Sequence, residues 1–318
     1  WVILPRFLKL KNKMNYAPLL IPVYDRIEHF NRCLNSLKNC EGANKTHLFI
    51  AIDYPKTEEI LEKYYQIIEI AKSIKGFKEV TLFIRETNLG SKENIWSARN
   101  EIFKYYDRLI FSEDDNEFST GFLLFMNDAL DIYSDNQDIF AINGYNYPIE
   151  VDDIKSGDVY KFQGYCAWGA GIWRDKWLRI DWSFENLKKF VHNPINLIKT
   201  YKIAPSYNQH FISSLLSKKF AGDVYIDLNL IKNNWYTLSP VHTLVRNYGC
   251  DKSGEHKSSD LRFINQKISL TQPDPSNFVN EEDLNILYKR LRNYFYFNTK
   301  DFIKFIFINY FYKYHKIL

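Results

Sequence analysis

The sequence predicts an α/β protein, a three-layer α/β/α sandwich around a mainly parallel sheet, with a helical extension after it. Three observations carry the prediction. Short apolar runs alternate four times with helix-periodic segments between residues 19 and 112, the pattern of strand–helix–strand crossovers. The runs are continuously apolar rather than alternating, as strands buried on both faces require. Polar residues then follow each run directly, which places them together along one rim, beyond the carboxyl ends of the strands, where such sheets bind ligands.

Residues 19–24 (Leu-Leu-Ile-Pro-Val-Tyr) form the first apolar run, closed by Asp25. Residues 26–37 carry apolar side chains at helical spacing. Residues 46–52 read as a second strand, ended by Asp53, and 57–74 as a helix with an apolar stripe. A third strand over 80–84 leads to the turn Asn88-Leu89-Gly90 and a helix over 92–106. The fourth strand, 109–112, ends in Glu113-Asp114-Asp115. Residues 116–133 read as helix and 139–144 as a further strand. From about 150 the alternation dissolves into the Trp- and Gly-rich stretch 165–173, then into helical patterns to about 235.

The bulk numbers are those of an ordinary globular chain: 318 residues, 46% hydrophobic and 25% charged. With 42 basic and 38 acidic side chains, a net charge of +4, the balance is too even to predict a nucleic-acid partner. Cys33, Cys40, Cys166 and Cys250 lack C-x-x-C spacing and are too few for a disulfide framework, which suits a reducing cytoplasm. The opening Trp1-Val2-Ile3-Leu4 is broken by Pro5 and Arg6 and does not read as a signal peptide, and no apolar run reaches the length of a membrane span. Residues 301–316 are apolar and aromatic with interspersed lysines. That pattern suits a helix lying on a membrane surface and a terminal helix docked on the domain equally well.

The acidic triplet carries the most chemistry. Three carboxylates delivered to the end of a buried strand are costly without a cation, and a hard divalent ion bridging them to the phosphates of a nucleotide is the natural partner. Lys92 and Arg99, seven residues apart on one helix, share nearly the same face, from which cations can approach a diphosphate. Trp168-Gly169 offers a ring to stack on a sugar beside a glycine that permits close backbone approach; Trp173 reads as core.

Residues 21–26 (Ile-Pro-Val-Tyr-Asp-Arg), Asn88-Leu89-Gly90, Ala98-Arg99-Asn100 and residues 112–116 (Ser-Glu-Asp-Asp-Asn) together resemble glycosyltransferases of the GT-A fold. The resemblance is to the inverting N-acetylglucosaminyltransferase type and to bacterial family 2-like enzymes of surface polysaccharide. It spans roughly residues 18–256. It implies Asp115 as the ligand of manganese (or magnesium), with Glu113 and Asp114 against the donor ribose, sugar or metal-bound water. It also implies Pro22, Tyr24, Asp25, Arg26 and Asp53 around the nucleotide, Asn88, Gly90, Lys92 and Arg99 toward the diphosphate, and Trp168 and Gly169 beside the donor sugar. The family's general base sits near the start of a late helix, which points to Asp223, with Asp227 one turn on as the second candidate; a different alignment places residues 208–210 (Asn-Gln-His) there and leaves no carboxylate. His256 is similar to a late histidine that some relatives bring back to the metal or phosphate.

The resemblance thus implies a catalytic unit over 1–256, with a nucleotide-sugar half over about 18–145 and an acceptor half over about 146–256, followed by an extension over 257–318. The expected activity is metal-dependent transfer of a hexosyl unit from a nucleotide-sugar donor, most simply a UDP-sugar, to a saccharide or lipid-linked saccharide acceptor with inversion. The expected setting is bacterial polysaccharide or glycoconjugate synthesis, in the cytoplasm or peripheral on the inner face of the cytoplasmic membrane. Two other readings share the sheet. A sugar-phosphate nucleotidyltransferase would want a Gly-rich basic loop after the first strand, and residues 22–26 contain no glycine. A non-catalytic nucleotide-sugar-binding member of an assembly complex would not need the intact acidic triplet.

Overall fold

The computed structural model describes residues 16–251 and 260–298, with 300, 303 and 307. His256 and most of residues 301–316 lie outside the described residues. The first half follows the predicted order: β1 (Leu19–Val23), α1 (Ile27–Lys38), β2 (His47–Ile52), α2 (Leu61–Lys72), β3 (Glu79–Ile84), α3 (Gly90–Ile102) and β4 (Arg108–Phe111). All of these strands pair in parallel, in the order β3-β2-β1-β4.

Side-chain alternation divides the strands between two cores. Leu19, Ile21 and Val23 of β1 and Leu48, Ile50 and Ile52 of β2 face the layer holding α1 and α2. Leu20, Phe49 and Ala51 face the opposite layer, with Ala98 and Ile102 of α3. The α1 helix forms because Phe30, Cys33, Leu34 and Leu37 recur at helical spacing and are buried together. Pro22 is tolerated in a central strand because the β1–β4 ladder registers only Leu19 and Leu20, before the missing N–H would matter.

The second half completes the sheet differently. Asn116–Phe118 is β5, followed by α4 (Phe122–Ile132), β6 (Ile139–Asn143), β7 (Val159–Phe162) and β8 (Ala170–Trp173). Then come α5 (Arg174–Trp177), α6 (Phe184–Val191), α7 (Pro194–Ile203), α8 (Tyr207–Ser217), α9 (Gly222–Asn233), β9 (Tyr236–Pro240), β10 (Val245–Asn247), α10 (Leu261–Ile264) and α11 (Glu281–Tyr294). The full order is β3-β2-β1-β4-β8-β6-β9-β7, with β8 antiparallel to both β4 and β6. The end of the Trp- and Gly-rich stretch, Ala170–Trp173, is therefore an inner strand. Gly171 suits it because a Cβ there would stand 2.8 Å from Met126 Cε.

Helix does not extend over all of 116–133. Residues 116–118 pair instead with β10, Val245 opposite Phe118, a partner far along the chain that local periodicity cannot report. The segment after 256 is fastened to a third core: Val279, Leu287, Leu291 and Phe295 are buried with residues of α6, α8 and α9. Among the described residues no helix is long and apolar enough to cross a membrane.

Candidate functional site

Strand order reverses at β1. From there the chain winds outward through β2 and β3 along α1 and α2, then returns across the other face on α3 to place β4 on the far side of β1. A crevice opens at such a switch point, beyond the strand ends. Arg26 after β1 and the acids after β4 meet there. The Arg26 guanidinium bridges Asp114 and Asp115, donating from Nη1 to Asp115 Oδ2 at 2.8 Å and from Nη2 to Asp114 Oδ1. Asp115 is buried, and its Oδ1 accepts from Asn247 Nδ2 at 2.7 Å; the same amide group also reaches Asn116 at 2.9 Å.

The chain after β10 straps this cluster. Tyr248 N donates to Asp115 O at 2.9 Å. Gly249 lies so close that a Cβ would sit 2.0 Å from Asp115 Oδ2. His29, in the first turn of α1, pairs with Asp251 at 3.1 Å, and the Tyr248 ring lies under Arg32 at 4.0 Å with its hydroxyl donating to Glu117 at 3.0 Å. The contact of residues 247–249 with Asp115 joins residues more than 130 positions apart and leaves no local signal in the sequence.

Glu113 accepts from Trp168 Nε1 at 3.0 Å, so the predicted sugar-side tryptophan and the triplet do converge. Asp223 stands in the first turn of α9. Its carboxyl is open to water yet walled by protein, and desolvation pushes it up to about 6 while Arg99 pulls it back. Desolvation first, then the charges of Asp115, Asp223 and Asp114, push Glu113 well above the usual carboxylate range, and desolvation raises Asp114 to about 7 against the pull of Arg26. Acids from the two halves of the chain thus act on one another, with Arg26 between two of them.

Other expected residues have different tasks. Asp53 accepts from the backbone N–H of Tyr54, Leu89 and Gly90 at 3.0, 2.9 and 2.8 Å and from Asn88 Nδ2 at 3.3 Å. It caps α3 from the end of β2, so both oxygens are engaged by protein rather than held out for a nucleotide. Gly90 makes the turn possible at φ +75°, and Asn88 also donates to Tyr54 O at 2.5 Å. Lys92 lies over Phe220 at 3.9 Å, three residues before Asp223, and over Trp96 at 5.1 Å. Arg99 is buried between Trp177, at 3.9 Å, and Phe111, and its Nε has no hydrogen-bond partner among the described residues.

Asp227 is buried and accepts from Tyr165 N at 2.7 Å, which anchors the start of the Trp- and Gly-rich stretch. Asn208 is buried too, donating to Leu197 O between α7 and α8. Gly169 turns at φ +74°, where a Cβ would press on Phe122 and Val245 at 2.9 Å. Trp173 is core, with its Nε1 donating to Leu130 O. Tyr24 accepts from Lys56 N at 3.0 Å, whereas Asp25 makes no hydrogen bond or ion pair among the described residues and is half-buried on the same rim.

As a metal site the cluster has suitable chemistry: hard oxygen donors in excess of the positive charge beside them. Asp115 oxygens each accept one hydrogen bond and retain lone-pair capacity. Among the described residues no three His, Cys, Asp or Glu side chains form a protein-only cage, so an ion here would need ligands from a bound phosphate or water.

No family model matches the chain, and no curated protein does. Partial likenesses exist among solved structures. One is a mannosyltransferase from Pyrobaculum calidifontis solved with GDP-Man and Mn2+: TM-score 0.35, 12% identity, over 54% of this chain and 48% of that one. Another is S. aureus TarS 1–349 in complex with UDP-GlcNAc: TM-score 0.31, 15% identity, over 48% and 44%. The chain thus spans about half or less of the solved chains it matches, and the site is read from its own residues.

Proposed function

We propose that the chain is a glycosyltransferase that takes a hexosyl unit from a nucleotide-sugar donor to a saccharide acceptor with inversion. One observation carries the reading: Arg26 gathers Asp114 and Asp115 beside Glu113 at the end of β4, and the charge of Asp223, from the other half of the chain, acts on Glu113. Transfer of a sugar asks for that division, a cationic site for the departing diphosphate and a carboxylate across from it to accept the acceptor hydroxyl's proton.

Asp223 is the general base in this reading. It is exposed, whereas Asp227 is buried and accepts from Tyr165 N. A carboxyl near 6 is largely ionised at neutral pH and more basic than an ordinary aspartate. Arg26 provides a fixed positive charge beside Asp114 and Asp115, and Asp25 offers an unengaged acceptor on the nucleotide side. Trp168 holds Glu113 and lends the crevice an aromatic wall. A manganese or magnesium ion would be held by Asp115, with Glu113 beside it, and would neutralise the leaving diphosphate. A UDP-sugar as donor, a surface polysaccharide or glycoconjugate as product, and attachment to the inner face of a cytoplasmic membrane belong to the same proposal.

The test is hydrolysis and transfer from UDP-, GDP- and dTDP-sugars, with manganese or with EDTA, by the intact chain and by Asp115→Ala. Metal-dependent release of one nucleotide, lost in the variant, is the expected result. No release from any donor, together with no metal-dependent nucleotide binding, would sink the proposal.

A further inference from the structure

A line of aromatic rings leads from the acidic cluster toward the C-terminal part of the chain. It begins at Trp168, whose Nε1 is bonded to Glu113. From Trp168 the rings step to Tyr145 at 4.8 Å, to Tyr147 at 5.7 Å and to Tyr294 of α11 at 5.3 Å; Phe263 of α10 stands edge-on to Trp168 at 5.3 Å. Trp168, Tyr147, Phe263 and Tyr294 are each partly exposed. They pack as a wall against the margin of the core, each with part of its ring exposed.

A second observation is independent of ring packing. Tyr145 is 1% exposed, and its hydroxyl makes no hydrogen bond among the described residues. A buried hydroxyl without a partner is costly, of order 1–3 kcal/mol, and its surroundings are Cys166, Cys250, Asp260 and Tyr294, which lie along the same wall. Cys250 follows the glycine that touches Asp115, so the hydroxyl sits where the wall meets the strap over the acids.

We infer that this wall is an acceptor-binding track for an uncharged, linear saccharide of more than one unit, supplied in part by α10 and α11. The inference rests on the glycosyltransferase reading of the neighbouring crevice. A pyranose presents an apolar face ringed by hydroxyls, which matches aromatic faces edged by the phenol groups of Tyr145, Tyr147 and Tyr294. An acyl chain would leave the Tyr145 hydroxyl unsatisfied. A strongly acidic glycan would want a free cation, and the arginine on the track, Arg262, is held by Asp260 while it lies over Tyr294 at 5.6 Å.

The experiment is a printed array of neutral and acidic oligosaccharides probed with the intact chain, with Phe263→Ala and with Tyr294→Phe, alongside calorimetric binding of UDP and GDP. Phe263 belongs to a four-residue helix at the surface, and Tyr294→Phe keeps the ring, so both variants should fold. Capture of neutral glycans of two or more units is expected, weakened about tenfold by Phe263→Ala and several-fold by Tyr294→Phe, with nucleotide affinity unchanged. Equal capture by both variants, capture confined to acidic glycans, or no glycan captured by the intact chain would each overturn the track. Glycan capture that depends on Phe263 in a chain that binds no nucleotide would leave the track standing and defeat the donor reading instead.

Discussion

Gly249→Ala puts the described strap to a direct test. The added methyl would be built 2.0 Å from Asp115 Oδ2 and 2.9 Å from its Cγ, with Arg26 Nη1 a further 3.3 Å neighbour. Ordinary van der Waals contact needs about 3.5–4.0 Å, so the overlap with the carboxylate is about 1.5 Å. Asp115 cannot simply turn aside, because Asn247 holds its other oxygen and Arg26 the one that is struck. Either the strap lifts, breaking the Tyr248 N bond to Asp115 O, or the carboxylate moves and strains Arg26 and Asn247. Overpacking of this kind costs about 1–3 kcal/mol, and a displacement of about 1 Å at a reacting centre costs about a hundredfold in rate. Urea unfolding at fixed pH reads the first quantity, and donor turnover with manganese reads the second. A variant with the midpoint and the turnover of the parent would refute the contact between Gly249 and Asp115, and with it the view that residues 247–251 hold the acid in place.

The carboxyl of Asp223, near 6 in the ligand-free chain, predicts an acid limb of kcat/KM centred near pH 6 that Asp223→Asn abolishes with the transfer itself; a limb unchanged in that variant would exclude Asp223 as the base. Because Arg99 lowers that carboxyl, Arg99→Met should move the limb to higher pH, which a pH–rate profile would show. The sign for stability is opposite to that of a salt-bridged acid: Asp223 binds its proton more tightly folded than unfolded, so its contribution favours folding below its unfolded value and declines as pH rises through about 6, and Asp223→Asn should flatten that slope in unfolding measured from pH 4 to 8. Lys92→Met should lower stability by less than about 1 kcal/mol, the worth of an exposed cation–π contact, and reduce kcat more than it changes the donor KM; a large rise in donor KM would mean that Lys92 binds the diphosphate and not Phe220. Asp227→Ala, which leaves Tyr165 N unpaired in the interior, should destabilise by about 1–3 kcal/mol while Asp227→Asn retains turnover, and loss of turnover in a stable Asp227→Asn would return Asp227 to the chemistry.

Local period and strand-end chemistry were readable from the sequence alone. Continuous apolar runs such as residues 19–24 and 46–52 marked strands covered on both faces, and the two helix-face cores divide them by side-chain alternation as the period of two demands. The acids after β4 and Arg26 after β1 were predictable as rim residues because parallel strands all end on the same side. What residues 113–115 do with one another, and with Asn247, Gly249 and Trp168, was decided only by the fold. Asp53 illustrates the difference: its place at a strand end was legible, yet whether it faced a ligand or capped α3 depended on how closely the Asn88–Gly90 turn approaches β2. Asp223 and Asp227 share a helix face in sequence, but the packing of Tyr165 against α9 buries one and leaves the other open. Contacts between residues fifty or more positions apart impose no periodicity on either partner, so β5, the strap over Asp115 and the Trp168–Glu113 bond, 55 positions apart, appear only when the chain has closed on itself.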